Sequence, residues 1–235
     1  MALIKVENLS KSYNRKTVLK DLSFSVDEGD YLYVVGENGS GKTTLMKLIL
    51  GLIEPDSGKI VLDGFLRTEI GYLPQSAETQ SDFPASAYEV VLTGTQSNER
   101  FFPFYTKRDK KVALDAMKRF EIEHLKKTSF RSLSGGQKQR VLLARALCAT
   151  KKVILLDEPI TALDPVATAE FYEIINELRE SKITVIIISH DISCAVHYGN
   201  KILHLCEDET FFGDTHEYVH SPLGKRMLKG GHCHG

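Results

Sequence analysis

Apolar and polar residues alternate over the first part of the chain in a way that indicates β-strands. Leu22, Phe24 and Val26 alternate with serines, the pattern of a strand with one buried face. The run 31–35 is apolar throughout and predicts a strand that is buried on both faces. Further strands are predicted around 4–9, 60–62, 70–73, 153–156, 184–188, 202–205 and 210–212.

Helical spacing of apolar residues dominates the middle of the chain. Ser86 and Glu89 have the spacing of a capping box, which predicts a helix that continues through Leu92. Thr106 is positioned to cap a second helix, over 107–120. Further helices are predicted at 42–50, at 135–149 with Ser134 as its cap, at 165–180 and at 192–198.

The order of these elements predicts an α/β fold. Strands that alternate with helices and are apolar throughout form a largely parallel sheet that is covered on both sides. We therefore expect one domain over residues 1–235, with a core formed by about 1–75 and 151–220. The block at about 76–150 reads as a helical subdomain inserted into that core, and 221–235 reads as a C-terminal tail.

Composition narrows the class of protein. Thirty Lys and Arg residues against thirty-one Asp and Glu give a net charge of -1, so the basic footprint of a nucleic-acid-binding protein is absent. No apolar run approaches the roughly 18 residues of a membrane span, so a membrane process would need other chains. Cysteines at 148, 194, 206 and 233 follow no disulfide framework, which favours a reducing, cytoplasmic setting.

Residues 36–43 match the phosphate-binding pattern G-x-x-x-x-G-K-[ST] at every fixed position. A buried strand precedes the loop and a helix follows it, so backbone amides and the helix N-terminus can surround phosphate groups. The alternative is a glycine-rich turn without a ligand. The candidate nucleotide-binding residues are Gly36, Asn38, Gly39, Ser40, Gly41, Lys42, Thr43 and Thr44.

Two acids end the predicted strand at 153–156. Asp157 and Glu158 would face the crevice at the carboxyl edge of the sheet, where ligands of such folds bind. We interpret Asp157 as a ligand of Mg²⁺ and Glu158 as the base that activates a water. The alternative is that both acids only cap the next turn.

The segment 133–137, Leu-Ser-Gly-Gly-Gln, opens a helix with small residues that form a second anion site. Alone it could be an ordinary capped helix. Together with the phosphate loop and the two acids, in this order, it resembles the signature motif of the ATP-binding cassette (ABC) ATPases. The resemblance covers about residues 3–215 and implies a P-loop NTPase of ABC type, with an N-terminal antiparallel β-subdomain. It adds Ser134, Gly135, Gly136 and Gln137 to the ATP-binding residues.

The resemblance also assigns roles to single residues. Tyr13 resembles the aromatic residue that stacks on adenine, although a surface turn tyrosine is the alternative. Gln75 resembles the glutamine that contacts Mg²⁺ or the attacking water, and His190 the histidine that holds the γ-phosphate. Asp164 resembles a residue that contacts the opposite subunit and is also a plain helix cap. The implied catalytic set is Glu158, His190 and Gln75, and the implied Mg²⁺ ligands are Thr43, Gln75 and Asp157.

The resemblance also implies partners and a location. Because the phosphate loop of one subunit and the signature of another enclose one ATP, we expect a homodimer or a pair with a homologous ATPase. Transmembrane permease subunits and an extracytoplasmic substrate-binding protein complete the expected transporter, which places this chain at the cytoplasmic face of the cell membrane as a peripheral subunit. We expect no nucleic-acid partner.

The cargo is suggested by the segment after Gln75. Residues 82–84 and 89–94 resemble the zinc, manganese and iron importers of the superfamily. The tail at 232–234, His-Cys-His, carries donors that suit Zn²⁺, to which His216 and His220 add candidates, unless the tail is disordered and has no role. Another cargo, an exporter, a soluble ABC ATPase and a docking cassette without turnover remain the alternatives.

Overall fold

The computed structural model describes residues 2–14, 16–75, 84–96, 104–160, 163, 165–206 and 209–231. Within these ranges no helix is both long and apolar enough to span a bilayer. The chain divides into two compact units: the first comprises residues 1–67 and 182–235, and the second comprises residues 68–181. The limits of the inserted helical subdomain, about 76–150, remain a prediction.

The helices and strands are named in chain order. They are β1 (Ala2–Tyr13), β2 (Lys16–Asp27), β3 (Tyr31–Val35), α1 (Lys42–Ile49), β4 (Ser57–Leu62), β5 (Ile70–Leu73), α2 (Ala87–Thr93), α3 (Lys107–Arg119), α4 (Gly135–Ala149), β6 (Val153–Asp157), α5 (Pro165–Glu180), β7 (Thr184–Ile188), α6 (Ile192–Tyr198), β8 (Lys201–Leu205), β9 (Thr210–Asp214), α7 (Thr215–His220) and α8 (Pro222–Leu228).

The first unit contains an antiparallel sheet in the order β2-β1-β4, which confirms the predicted N-terminal β-subdomain. Ile4, Val6 and Leu9 of β1 are buried while the residues between them are more exposed, so the alternation in the sequence corresponds to one packed face. The same unit contains β3 between β7 and β8, all parallel, with β9 antiparallel to β8. Every residue of β3 and β7 is buried.

The second unit contains the parallel pair β5 and β6 together with helices α2 to α5. Three of these helices begin with a complete capping box: Ser86 with Glu89, Thr106 with Asp109, and Ser134 with Gln137. Each pair satisfies backbone amides at a helix start that would otherwise lack partners. The predicted capping box at Ser86 and the predicted caps at Thr106 and Ser134 are confirmed.

Two features differ from the expectations drawn from sequence. The short helices α7 and α8 follow β9 in a segment for which the sequence indicated no elements. Cys148 and Cys194 are thiols. Cys206 forms a disulfide bond, which differs from the expectation, drawn from the spacing of the cysteines, that the chain has no disulfide framework.

Candidate functional site

The phosphate loop of the first unit is shaped by positions that only glycine occupies easily. Gly36 and Gly41 have φ of 150° and 100°, in the region that L-residues with a Cβ rarely adopt. A Cβ at Gly36 would overlap the carbonyl oxygen of Leu205, and one at Gly41 would lie 2.8 Å from Cδ2 of Leu19. The loop is therefore closely packed against β8 and β2, and it lines a cavity of about 330 Å³.

Lys42 is held inside this loop. Its side chain is buried, and Nζ donates to the carbonyl oxygens of Gly36 at 2.6 Å and Glu37 at 2.9 Å. The hydroxyl of Ser40 is buried and has no hydrogen-bond partner among the described residues. A buried polar atom without a partner is costly, and a phosphate oxygen would supply the missing partner. Thr43, in the first turn of α1, is exposed.

His190 and Tyr13 also belong to the first unit. β7 pairs in parallel with β3, with Ile188 opposite Val34, so His190 and the phosphate loop follow neighbouring strands at the same edge of the sheet. His190 is exposed. Tyr13 ends β1 with 44% of its surface exposed and lies under the ammonium of Lys11, 5.8 Å from the ring centroid.

The two acids and Gln75 meet in the second unit. β5 and β6 pair with Leu73 opposite Leu156, so the residues that follow these strands share one edge. Nε2 of Gln75 donates to Oε2 of Glu158 at 3.1 Å. Glu158 has a positive φ of 45°, which is uncommon for a residue with a side chain.

Asp157 is buried at the end of β6, whereas Glu158 is partly exposed. Burial, and after it the negative charge of Asp157, raises the pKa of Tyr72 to about 12. The Tyr72 hydroxyl therefore stays protonated at neutral pH. Carboxylate and amide oxygens, with the hydroxyl of Thr43, are the hard donors that Mg²⁺ prefers, so the residue types of the predicted metal set fit this ion.

The signature segment forms the start of α4 in the second unit. The Ser134 hydroxyl accepts from the Gln137 amide at 3.3 Å, and Gln137 Oε1 accepts from the Ser134 amide at 3.0 Å. A Cβ at Gly135 would meet no atom of the described residues within 4 Å. The segment lines a cavity of about 540 Å³. Gly135 is exposed at this end of α4, so an anion can approach the helix start beside the capping box.

Two further contacts, which were not identified from the sequence, support this region. Nε2 of Gln139 donates to the carbonyl oxygen of Pro159 at 2.6 Å, which joins α4 to the residue after Glu158. Arg140 pairs with Glu170 of α5 at 2.6 Å. Both residues lie in the predicted helix, but only the folded structure shows their partners. The predicted Asp164 lies outside the described residues.

Comparison with known proteins agrees with the resemblance. The family model described as "ABC transporter" matches residues 19–161. The zinc uptake system ATP-binding protein ZurA of Listeria innocua is 34% identical, with 93% of this chain and 88% of that protein covered. The manganese transport system ATP-binding protein MntB of Bacillus subtilis is 37% identical, with 90% and 86% covered.

A solved structure extends the similarity to three dimensions. CbiO1 from Clostridium perfringens, part of the ABC transporter complex cbiONQ, has a TM-score of 0.82 at 31% identity, with 97% of this chain and 94% of that chain covered. The mixed α/β fold with its antiparallel subdomain is that of an ABC ATPase. The chain therefore belongs to the ABC transporter family, as an ATP-binding subunit with ATPase activity.

Proposed function

We propose that this chain drives the uptake of a divalent transition metal, such as zinc or manganese, through separate membrane subunits. The observation that carries the choice of cargo is the similarity over most of the chain to ATP-binding proteins named for zinc uptake and for manganese transport. Residues 89–94, in the segment after Gln75, support the same choice of cargo. Residues 82 and 83 of that segment lie outside the described residues.

In this proposal the loop in the first unit holds the phosphates of ATP. Lys42 supplies positive charge, since its ammonium is already held at the loop by two carbonyl oxygens. The unpaired hydroxyl of Ser40 supplies a donor, and Tyr13 offers an exposed ring to the adenine. His190, on the neighbouring strand end, contacts the γ-phosphate.

Asp157, Thr43 and Gln75 are the residues that would hold Mg²⁺. The ion, when bound, neutralises phosphate charge and orients the reacting phosphoryl group. Glu158 accepts the proton of the attacking water, and Gln75 restrains the Glu158 carboxylate through the hydrogen bond at 3.1 Å. A fixed carboxylate loses little entropy when it meets the water, which favours proton transfer.

The signature end of α4 acts on the ATP of a second ATPase subunit. Ser134 and Gly135 stand at a helix start that is open on one side, and its backbone amides favour an anion. We propose a homodimer, or a pair with a homologous ATPase, that assembles with transmembrane permease subunits and an extracytoplasmic substrate-binding protein. Such an assembly holds this chain at the cytoplasmic face of the membrane.

The variant Glu158→Gln tests the catalytic part of the proposal. Glutamine keeps the shape of the side chain but cannot accept a proton, so phosphate release should fall by roughly 10²- to 10⁴-fold. Binding of MgATP should persist, and an ATP-bound dimer should accumulate in size-exclusion chromatography and dissociate with EDTA. Glu173→Gln, at an exposed position of α5, is the matched control and should behave as the parent. Parent-like turnover by Glu158→Gln would remove Glu158 from the catalytic role.

Cargo is tested in cells of the source organism that lack this gene. Uptake of radioactive zinc and manganese should fall on deletion and should return with the parent gene. The Glu158→Gln gene should fail to restore uptake, whereas Glu173→Gln should restore it. Unchanged uptake of both metals in the deletion strain would refute metal import while leaving the ATPase assignment intact.

A further inference from the structure

Two histidines lie one turn apart on α7, and neither belongs to the predicted nucleotide-binding residues. His216 and His220 are both exposed, and their ring centroids are 4.6 Å apart with the rings inclined at 63°. Residues four apart share one face of a helix. Histidines at this spacing on one helix face are a known way to hold a zinc ion.

The helix that carries this pair is fixed despite its six residues. A helix this short is unstable alone, but Asp214 and Glu217 form a capping box at its start. The Ser221 amide donates to the carbonyl oxygens of Glu217 and Tyr218 at its end. Tyr218, between the two histidines in sequence, is buried, and its hydroxyl lies 2.7 Å from Nδ1 of His204.

The anchored helix gives the two imidazoles a defined starting separation. Around a tetrahedral ion with Zn–N bonds of about 2.0–2.1 Å, two ligand nitrogens lie roughly 3.3 Å apart. Rings whose centroids are 4.6 Å apart are close enough for side-chain rotation to bring one nitrogen of each ring to this separation. Because the backbone is already ordered, little additional entropy is lost on binding.

We propose that His216 and His220 form a two-ligand site for a divalent transition metal ion such as zinc. Imidazole nitrogens suit zinc, nickel and copper better than magnesium or calcium. Among the described residues no group of three or more His, Cys, Asp or Glu is arranged to hold a metal. In a site with these two protein ligands, water completes the coordination and the ion exchanges readily. This site goes beyond the proposed function and does not depend on it, since the chain alone binds the ion without ATP.

The test is calorimetric titration of ZnCl₂ into the full-length chain without nucleotide, in a buffer that does not chelate zinc. The parent should show a site that EDTA empties, and His216→Ala with His220→Ala should lose it. Each single variant should weaken zinc binding at least about tenfold, because a chelate becomes a single ligand. His197→Ala, an exposed histidine on α6, is the matched control and should bind as the parent does.

A third variant separates this site from the histidines and cysteine at 232–234. Replacing those three residues should leave the α7 site in place. The proposal is overturned if the double variant at 216 and 220 retains parental zinc affinity, or if the variant at 232–234 alone abolishes binding. Circular dichroism verifies that the variants are folded. Because both histidines are exposed, each single variant tests the metal site separately.

Discussion

The buried histidine of β8 makes stability depend on pH in a predictable direction. His204 is fully buried in the first unit, with Nδ1 2.7 Å from the hydroxyl of Tyr218. Burial, and after it the charges of Lys42 and Arg226, lowers the pKa of His204 to about 4 against the opposing charge of Glu37. Histidine in an unfolded chain has a pKa of about 6.5.

The two pKa values of His204, folded and unfolded, determine how the free energy of unfolding changes with pH. Between pH about 6.5 and about 4, the unfolded chain binds a proton at His204 that the folded chain does not bind. The free energy of unfolding therefore falls as the pH falls through this window, and this contribution levels off below it. At about pH 5 the loss is about 2 kcal/mol, from about 1.4 kcal/mol for each pH unit below the unfolded pKa.

Urea unfolding, followed by circular dichroism at about pH 7.5 and about pH 5, measures this loss. Because carboxylates titrate over the same range, the comparison needs a variant without the histidine. His204→Leu with Tyr218→Phe removes both polar partners, so that neither is left buried and unpaired. The parent should lose about 2 kcal/mol more than the variant between the two conditions. Equal losses would refute the conclusion that His204 is neutral in the folded protein.

Three further predictions concern the sites and the packing. Lys42→Ala removes the charge held at the loop, and calorimetry should show strongly weakened MgATP binding. Ser134→Arg should leave ATP binding by the isolated subunit intact but suppress phosphate release, because Ser134 acts on the partner's nucleotide; loss of binding in the monomer would contradict this. Gly71→Ala places a Cβ against Thr150 Oγ1 and the carbonyl oxygen of Ala146, and thermal unfolding should show a loss of about 1–3 kcal/mol.

Local chemistry explains why so many elements could be predicted from the sequence. Helices α4 and α5 have the predicted limits, 135–149 and 165–180, because a serine cap and a proline mark their starts. Strands β3 and β7 were predicted with their limits for a similar reason, since burial on both faces leaves a nearly continuous apolar run, which in β7 follows Thr184.

Contacts between distant parts of the chain could not be predicted in this way. The hydrogen bond from Gln75 to Glu158 depends on the register of β5 and β6, which brings together residues 83 positions apart. Helix α7 is too short to show an apolar period, and it depends on Tyr218, whose partner His204 lies on another element. The motifs identified the candidate residues, and the pairing of strands determined which of them meet.

The backbone at Glu158 links this packing to the proposed chemistry. A non-glycine residue in the left-handed region costs on the order of 1 kcal/mol or more, so surrounding contacts must hold Glu158 at its φ of 45°. On one side, buried Asp157 belongs to β6; on the other, the carbonyl of Pro159 accepts from Gln139 at 2.6 Å. Gln75 then restrains the carboxylate itself. The contacts of the neighbouring residues and of the carboxylate itself therefore hold the proposed base in one orientation despite the cost of its backbone conformation.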